Sequence, residues 1–217
     1  MTTMRRPRRT RDDLRDQLIE SALVEFAAKG FDGASTRSIA ERVDAHQPQI
    51  NYHFASKEAL WDAAVAHLFD QLLNAVGEVA PLERADDDIE AGLAFADALR
   101  RFVRFAADHP ELNRIMVHAG TEDNDRLHRM LERHVRAWYE ITTTVWTRLR
   151  DAGIAAPIAP SNVYWVIVGA ASLPFVNAPE VRVLTGTEPN ARAWVETHAD
   201  GIVATLLPGL TTARTDR

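Results

Sequence analysis

The chain contains no cysteine, which excludes disulfides, thiolate nucleophiles and cysteine-ligated zinc and fits a reducing compartment. It also lacks a long apolar run. The longest, Val163 to Val176, is fourteen residues and includes Ser172 and Pro174. It is too short to span a bilayer and reads as a buried helix. The Arg-rich N-terminus has no apolar segment behind it and does not read as an export signal. No HExxH, Gly-rich phosphate loop or nucleophile elbow marks an enzyme. No segment alternates as a half-buried strand would, and no internal repeat is found. These absences predict an all-α, cytoplasmic protein that is not an enzyme, uses no cofactor or metal and meets no membrane.

What is present suffices for a core: 217 residues, 46% of them hydrophobic, suit one large or two modest domains. The net charge of −6 is unevenly placed. Residues 1–57 hold ten Lys and Arg against eight acids, whereas the remainder holds fifteen against twenty-three. The first eleven residues carry five arginines and no acid. A basic end on an acidic body points the N-terminal part toward a polyanion.

The stretch Ser35–Phe54 reads as two short helices around a tight turn. Ser35 is a good N-cap, and Ala34, Ile39, Ala40 and Val43 form one apolar face. The pattern stops at Asp44-Ala45-His46. A second helix restarts at Gln47 with Pro48 in its first turn, where a missing N–H costs nothing. Ile50 and Phe54 point it back at the first helix. Its outer face keeps Gln47, Gln49, Asn51, Tyr52 and His53 and no acid, so it can meet base edges and phosphates without repulsion. A plain helical hairpin would show the same spacing, but Ser56-Lys57-Glu58 then caps a third helix with a cation where the dipole favours an acid. Lys57 is better explained as reaching a phosphate. By chemistry, Gln47, Gln49 and Asn51 suit base edges, Arg37 a base or phosphate, and Thr36, Tyr52, His53 and Lys57 phosphates.

The order Phe26-Ala27-Ala28-Lys29-Gly30-Phe31, Thr36-Arg37-Ser38-Ile39-Ala40, Gln47-Pro48 and Tyr52-His53-Phe54-Ala55-Ser56-Lys57-Glu58-Ala59-Leu60 resembles the DNA-binding domain of the TetR (tetracycline-repressor) family over residues 12–72. Asp44 stands where the family's turn often has Gly, and Asn51 where its recognition helix often has an aromatic. The resemblance implies an N-terminal three-helix helix-turn-helix domain, 12–72 with the motif at 35–54. A larger helical effector-binding and dimerisation domain, 73–208, would follow. The ends, 1–11 and 209–217, are expected to be a basic arm that enters the minor groove or follows the backbone, and a flexible tail. The implied function is sequence-specific transcriptional regulation, with repression released by a small, largely apolar ligand.

Elsewhere the chain reads as helices. Leu14, Leu18, Ala22 and Phe26 mark 12–29, ended by a left-handed Gly30. Leu60, Trp61, Ala64, Leu68 and Leu72 mark Ser56 to about Val76. A polar stretch with Pro81 and Asp86-Asp87-Asp88 follows, then helices over 89–108 and 111–118. A long one starts at Thr121-Glu122-Asp123 and bears Leu127, Leu131, Val135, Trp138, Thr142, Val145 and Leu149. Ser161 is expected to cap a helix apolar nearly all round, and the last helix runs from about Ala191 to Leu207. An all-apolar helix must be covered on every side, so 161–176 and 191–207 are expected to pair with their copies in a four-helix homodimer interface. Two heads one B-DNA turn apart then match a palindromic operator in double-stranded DNA. For the effector pocket the candidates are Phe95, Leu99, Phe102, Asn113, Met116, His118, Trp138, Thr142, Trp146, Tyr164, Trp165 and Phe175. An alternative from another class is a metal-binding protein or hydrolase using His118, His128 and Glu132, with His134 nearby.

Overall fold

Ser35 and Glu25 show how local chemistry builds the N-terminal part of the computed structural model, which describes residues 11–77 and 85–210. Helix α1 (Arg11–Gly33) breaks its helical geometry at Gly30, where φ is 67° and ψ is −179°. The positive φ suits glycine, but the extended ψ is not the left-handed cap expected, and the chain makes one more turn. Ser35 caps α2 (Thr36–Arg42) by accepting from the Ser38 N–H at 3.3 Å. Asp44 then adopts a φ of 53°, the single positive φ outside glycine among the described residues. A short polar side chain tolerates that region better than most, so Asp44 serves where glycine would. Helix α3 (Gln47–His53) follows, and α4 (Lys57–Val76) begins with the Ser56 hydroxyl accepting from the Ala59 N–H at 3.1 Å.

These helices pack through Leu18, Ala22, Phe26, Ile39, Ile50 and Leu60, all buried. Trp61 meets Phe26 edge-on at 4.9 Å and Phe31 at 5.8 Å, favourable quadrupole geometries. The buried Glu25 carboxylate accepts from Lys29 at 2.8 Å, Arg42 at 3.1 Å and the Ser35 N–H at 3.3 Å. Burial pushes its pKa up, but these donors more than offset that and hold it below the usual 4.5. Arg42 also donates to the Ser21 carbonyl at 2.9 Å, so one charge cluster ties α1 to α2.

The chain divides into two units, Met1–Leu68 and Phe69–Arg217, with the division falling inside α4. The second unit comprises the end of α4, α5 (Asp88–Asp108), α6 (Pro110–Ala119), α7 (Asp125–Met130), a π-helical turn (Leu131–Val135), α8 (Arg136–Asp151), α9 (Pro160–Val176), α10 (Ala178–Thr185) and α11 (Arg192–Leu206). Helix α5 packs against α8, α9 and α11, and its Phe95, Leu99 and Val103 join Trp146, Leu149, Val163, Ile167, Phe175 and Val195 in the core. Gly209 lies so close to the Gly153–Ile154 backbone that an added Cβ would sit 2.6 Å from it. Only glycine fits there. Three ion pairs brace the outside: Arg148–Asp88 at 2.7 Å, Arg100–Asp200 at 2.8 Å and a bidentate Arg104–Glu196 at 2.7 Å.

The described chain is all-helical, as expected, with four further local corrections. The long helix starts at Asp125, where the Asn124 side chain accepts from the Leu127 N–H at 3.0 Å, and not at Thr121-Glu122-Asp123. It is also not one α-helix. At the π turn the Arg136 N–H reaches the Leu131 carbonyl, five residues back, so an extra residue is accommodated there. Ser161 does not cap α9; Ala159 occupies that place with Pro160 in the first turn, and the Ser161 hydroxyl donates to Asn162. The sequence reading did not include helix α10, whose Val183 and Leu184 are exposed and which buries no residue. Residues 1–10, Pro81 and 211–217 lie outside the described residues. Among those described, no single helix is long and apolar enough to cross a membrane.

Candidate nucleic-acid interface and ligand cavity

Helix α3 is held at its base and open at its surface. Ile50 and Phe54 are buried, and the Ala45 N–H donates to the Ala40 carbonyl at 3.0 Å, closing the turn from α2. The His46 N–H donates to Gln49 Oε1 at 2.8 Å, satisfying a free amide at the N-terminus as a capping-box residue does. With Ile50 inward, Gln47, Pro48, Gln49, Asn51 and Tyr52 are exposed and His53 is half-buried. Tyr52 is 66% exposed. The structure therefore brings the predicted α3 residues onto one acid-free surface.

The flanking residues are more constrained than spacing implied. The Gln49 amide oxygen is already engaged in capping, which leaves its NH₂ group for a base edge. Gln47 Nε2 lies 3.5 Å from the half-buried Thr36 hydroxyl. Arg37 is exposed but paired with Glu41 at 2.8 Å, which raises its pKa further. Lys57, expected to reach outward, instead donates to the Asp32 carbonyl at 3.3 Å and sits 4.8 Å from the Phe31 ring centroid. The Arg37–Glu41 pair was legible as an i, i+4 spacing; the Lys57 anchor needed the turn after Gly30.

The second unit contains an inner chamber of about 100 Å³ lined by Phe95, Leu99, Phe102, Trp138, Thr142 and Tyr164 among the predicted residues. Beside it is a larger chamber of about 680 Å³ that takes in Asn113, Met116 and Trp165 and shares Phe102 and Tyr164. Three predicted residues are elsewhere. Trp146 is fully buried in the core and donates to the Ile158 carbonyl at 2.9 Å; Phe175 packs edge-on against Trp194 and His198; and His118 is exposed and lines neither chamber. In their place the cavity uses Phe69, Leu72 and Val76 from α4 and His134 from the π turn, stacked on Phe69 at 5.0 Å. Burial raises the pKa of the Tyr164 phenol. Of these α4 residues only Leu72 stands on the apolar stripe legible in the sequence, and not as cavity wall, because only packing shows which side of a stripe stays unfilled.

The metal or hydrolase alternative is not brought together. His128 Nε2 pairs with Asp123, Glu132 pairs with Arg136, and His118 is exposed. Among the described residues no three His, Asp or Glu side chains gather as metal ligands would.

Comparison with known proteins agrees with this geometry. A family model described as "Bacterial regulatory proteins, tetR family" matches residues 18–64, from the middle of α1 into α4. The chain is 22% identical over 193 residues to the HTH-type transcriptional regulator RutR of Escherichia coli (strain K12), covering 89% of this chain and 88% of that protein. It is 33% identical over 63 residues to the biofilm operon icaADBC HTH-type negative transcriptional regulator IcaR of Staphylococcus aureus (strain Newman), covering 29% and 34%. Among solved structures, AibR in complex with isovaleryl coenzyme A and operator DNA is similar, with a TM-score of 0.70, 16% identity, and 89% of this chain and 98% of that one covered. With the α2–turn–α3 geometry and its exposed polar face, these likenesses give residues 18–64 the helix-turn-helix domain of the TetR-family regulators, on a chain similar over most of its length to a transcriptional regulator.

Proposed function

We propose that the protein binds a palindromic operator in double-stranded DNA as a homodimer and leaves it when a small, largely apolar ligand fills the cavity of the second unit. The observation that carries the reading is the α3 surface, which is exposed and acid-free yet fixed from beneath by Ile50 and Phe54. Gln47, Asn51 and the Gln49 NH₂ group read base edges, while Thr36, Tyr52 and His53 hold phosphates and Lys57 joins them by leaving the Asp32 carbonyl for a phosphate oxygen. Pro48 keeps the first turn rigid at the groove. Arg37 reaches a base or phosphate by exchanging Glu41, as an exposed ion pair readily does. Residues 1–11 act as the basic arm, 12–72 as the DNA-binding domain and 73–208 as the dimerisation and effector domain, all in the cytoplasm.

Dimerisation is supported by α9. One of its faces packs inward through Val163, Ile167, Ala171 and Phe175, whereas Trp165 is 68% exposed and Leu173 56%. Beside them, Gly169 has nothing within 4 Å of an added Cβ, which leaves room for the close approach of another helix. Pairing α9 and α11 with their copies covers that face and presents α3 twice. A separation of about 34–36 Å, one helical turn, fits two half-sites, and linkage raises the effective concentration of the second head. Ligand control follows from α4, whose Phe69, Leu72 and Val76 line the inner chamber while its first turns belong to the DNA-binding unit. A ligand that favours one arrangement of α4 biases the spacing of the heads, and DNA and ligand then oppose each other through one equilibrium.

The test is selection of bound fragments from a genomic library, followed by gel shift and sedimentation. A dimer protecting a two-fold symmetric site is expected. Failure to retain any duplex at low salt, or a monomer at micromolar concentration, overturns the reading.

A further inference from the structure

The chemistry of the two chambers narrows the ligand class, an inference that rests on the ligand-released reading above. No Asp, Glu, Lys or Arg lines the inner chamber, and its one titratable neighbour at neutral pH is His134. Its volume of about 100 Å³ is below the roughly 150 Å³ of an apolar cavity that admits benzene. It therefore suits the end of an alkyl chain or a small branched group better than a fused ring. The outer chamber, about 680 Å³, takes part of its wall from Trp165, Gly169 and Leu173, the α9 face assigned above to the dimer, so that a second copy closes it there; its single charged lining side chain is Arg136. Arg136 is 57% exposed at the rim and offers its Nε to Glu132, four residues earlier on the helix. Among the described residues no other acceptor hydrogen-bonds to its guanidinium, and the Glu140 carboxylate lies near enough to help raise its pKa. The two Nη groups are thus available, in the fork geometry that takes a carboxylate with two parallel bonds. Among the same residues no partner holds the Asn113 amide or the Tyr164 hydroxyl, and both line the outer chamber.

We infer that the ligand is an amphipathic anion, with a narrow apolar end in the inner chamber and a carboxylate-type head on Arg136. A cationic amphiphile would find aromatic faces, but no acid lines either chamber, and the two carboxylates near Arg136, Glu132 and Glu140, lie outside the lining. A neutral one would fill the same apolar space and leave Arg136 unused. The Glu132 pair is no obstacle, because both partners lie more than half exposed and exchange with a ligand head at little cost.

The test uses the full-length protein with three probes of equal chain length, decanoate, decan-1-ol and decylammonium, each below its micelle concentration. Calorimetry gives the affinity, and the fluorescence of Trp138 and Trp165, which line the chambers, reports occupancy. Decanoate is expected to bind saturably at one per chain, the alcohol about tenfold more weakly for want of the charge-assisted bonds, and the ammonium not at all. Arg136→Gln should bring decanoate to the level of the alcohol. Ala98→Phe, which fills the inner chamber, should weaken both, with circular dichroism confirming that each variant is folded. Equal binding of alcohol and carboxylate, preference for the ammonium, indifference to Arg136→Gln, or no saturable binding by any probe overturns the inference. Gel shift on the selected operator separates the two readings: decanoate that binds without releasing DNA sustains the ligand class and overturns ligand control.

Discussion

Replacing Lys57 by Ala tests whether the start of α4 is part of the DNA surface or only scaffold. Its ammonium donates one long hydrogen bond to the Asp32 carbonyl at 3.3 Å and lies 4.8 Å from the Phe31 ring centroid. For a half-exposed cation over an aromatic face, losing these contacts costs about 0.5–1 kcal/mol. A domain with a typical stability of roughly 5–15 kcal/mol stays folded, so urea unfolding should change little. On DNA the consequence is larger and of a different kind. Each neutralised phosphate contributes about 0.9 to the slope of log affinity against log salt. A dimer presents Lys57 twice, so the slope should fall by about 1.8 per operator bound. Anisotropy titrations across a salt series, on the selected operator and on one with a substituted half-site, measure this. The expected result is an equal fractional loss on both duplexes and a shallower slope. An unchanged slope would mean the ammonium keeps its Asp32 and Phe31 contacts in the complex and neutralises nothing. Unequal losses would mean Lys57 reads sequence, and the division between phosphate and base contacts would fail.

Asn51→Ala should alter which base is preferred at one position of each half-site, at a cost of about 1–3 kcal/mol on the matched operator; selection of bound DNA by the variant reads this, and an unchanged consensus refutes it. Glu25→Gln should destabilise the N-terminal unit by about 1–3 kcal/mol, since Lys29, Arg42 and the Ser35 N–H lose a charged acceptor. Because the Glu25 pKa is lowered in the fold, its contribution is fully present above the ordinary carboxylate value and is lost as pH falls below it. The stability difference between wild type and variant should thus be flat near neutrality and shrink in acid; growth in acid would reverse the assigned sign. Trp165→Glu should yield a folded monomer by sedimentation with weakened operator binding, and persistence of the dimer would show that this face of α9 is not the interface. Trp146→Ala should cost about 3–5 kcal/mol as a core truncation, whereas loss of ligand binding at unchanged stability would return Trp146 to the cavity.

Periodicity and capping carried most of the fold in advance. Ser35, Asp44 and Pro48 are local devices, and each does in the structure what its side chain or backbone permits alone. The same holds for the inward pair Ile50 and Phe54, four apart, which leaves the polar residues of α3 outside. Where neighbours compete for one group, spacing was insufficient. Lys57 was expected to point at a phosphate because its own helix dipole disfavours it, yet the Asp32 carbonyl and Phe31 ring, brought near by the turn after Gly30, hold it. Gln49 likewise divides its amide between capping and recognition.

The cavity was legible only as a pool of aromatics. Trp146 and Phe175 satisfy helical periodicity as well as Trp138 and Tyr164 do, but the first pair fill the core and the second pair line the chamber. Nothing in a stripe records whether the opposing helix fills it. The π turn at Leu131–Val135 was hidden for a related reason: steps of four through Leu127, Leu131 and Val135 look like a plain α-helix. Residue order alone thus determined an all-α chain with a presented, acid-free helix, because caps, turns and amphipathic faces depend on neighbours within a few positions. Tertiary structure alone decided where the second unit stays hollow and which charge stands at its rim, because an unfilled space is set by how distant helices meet.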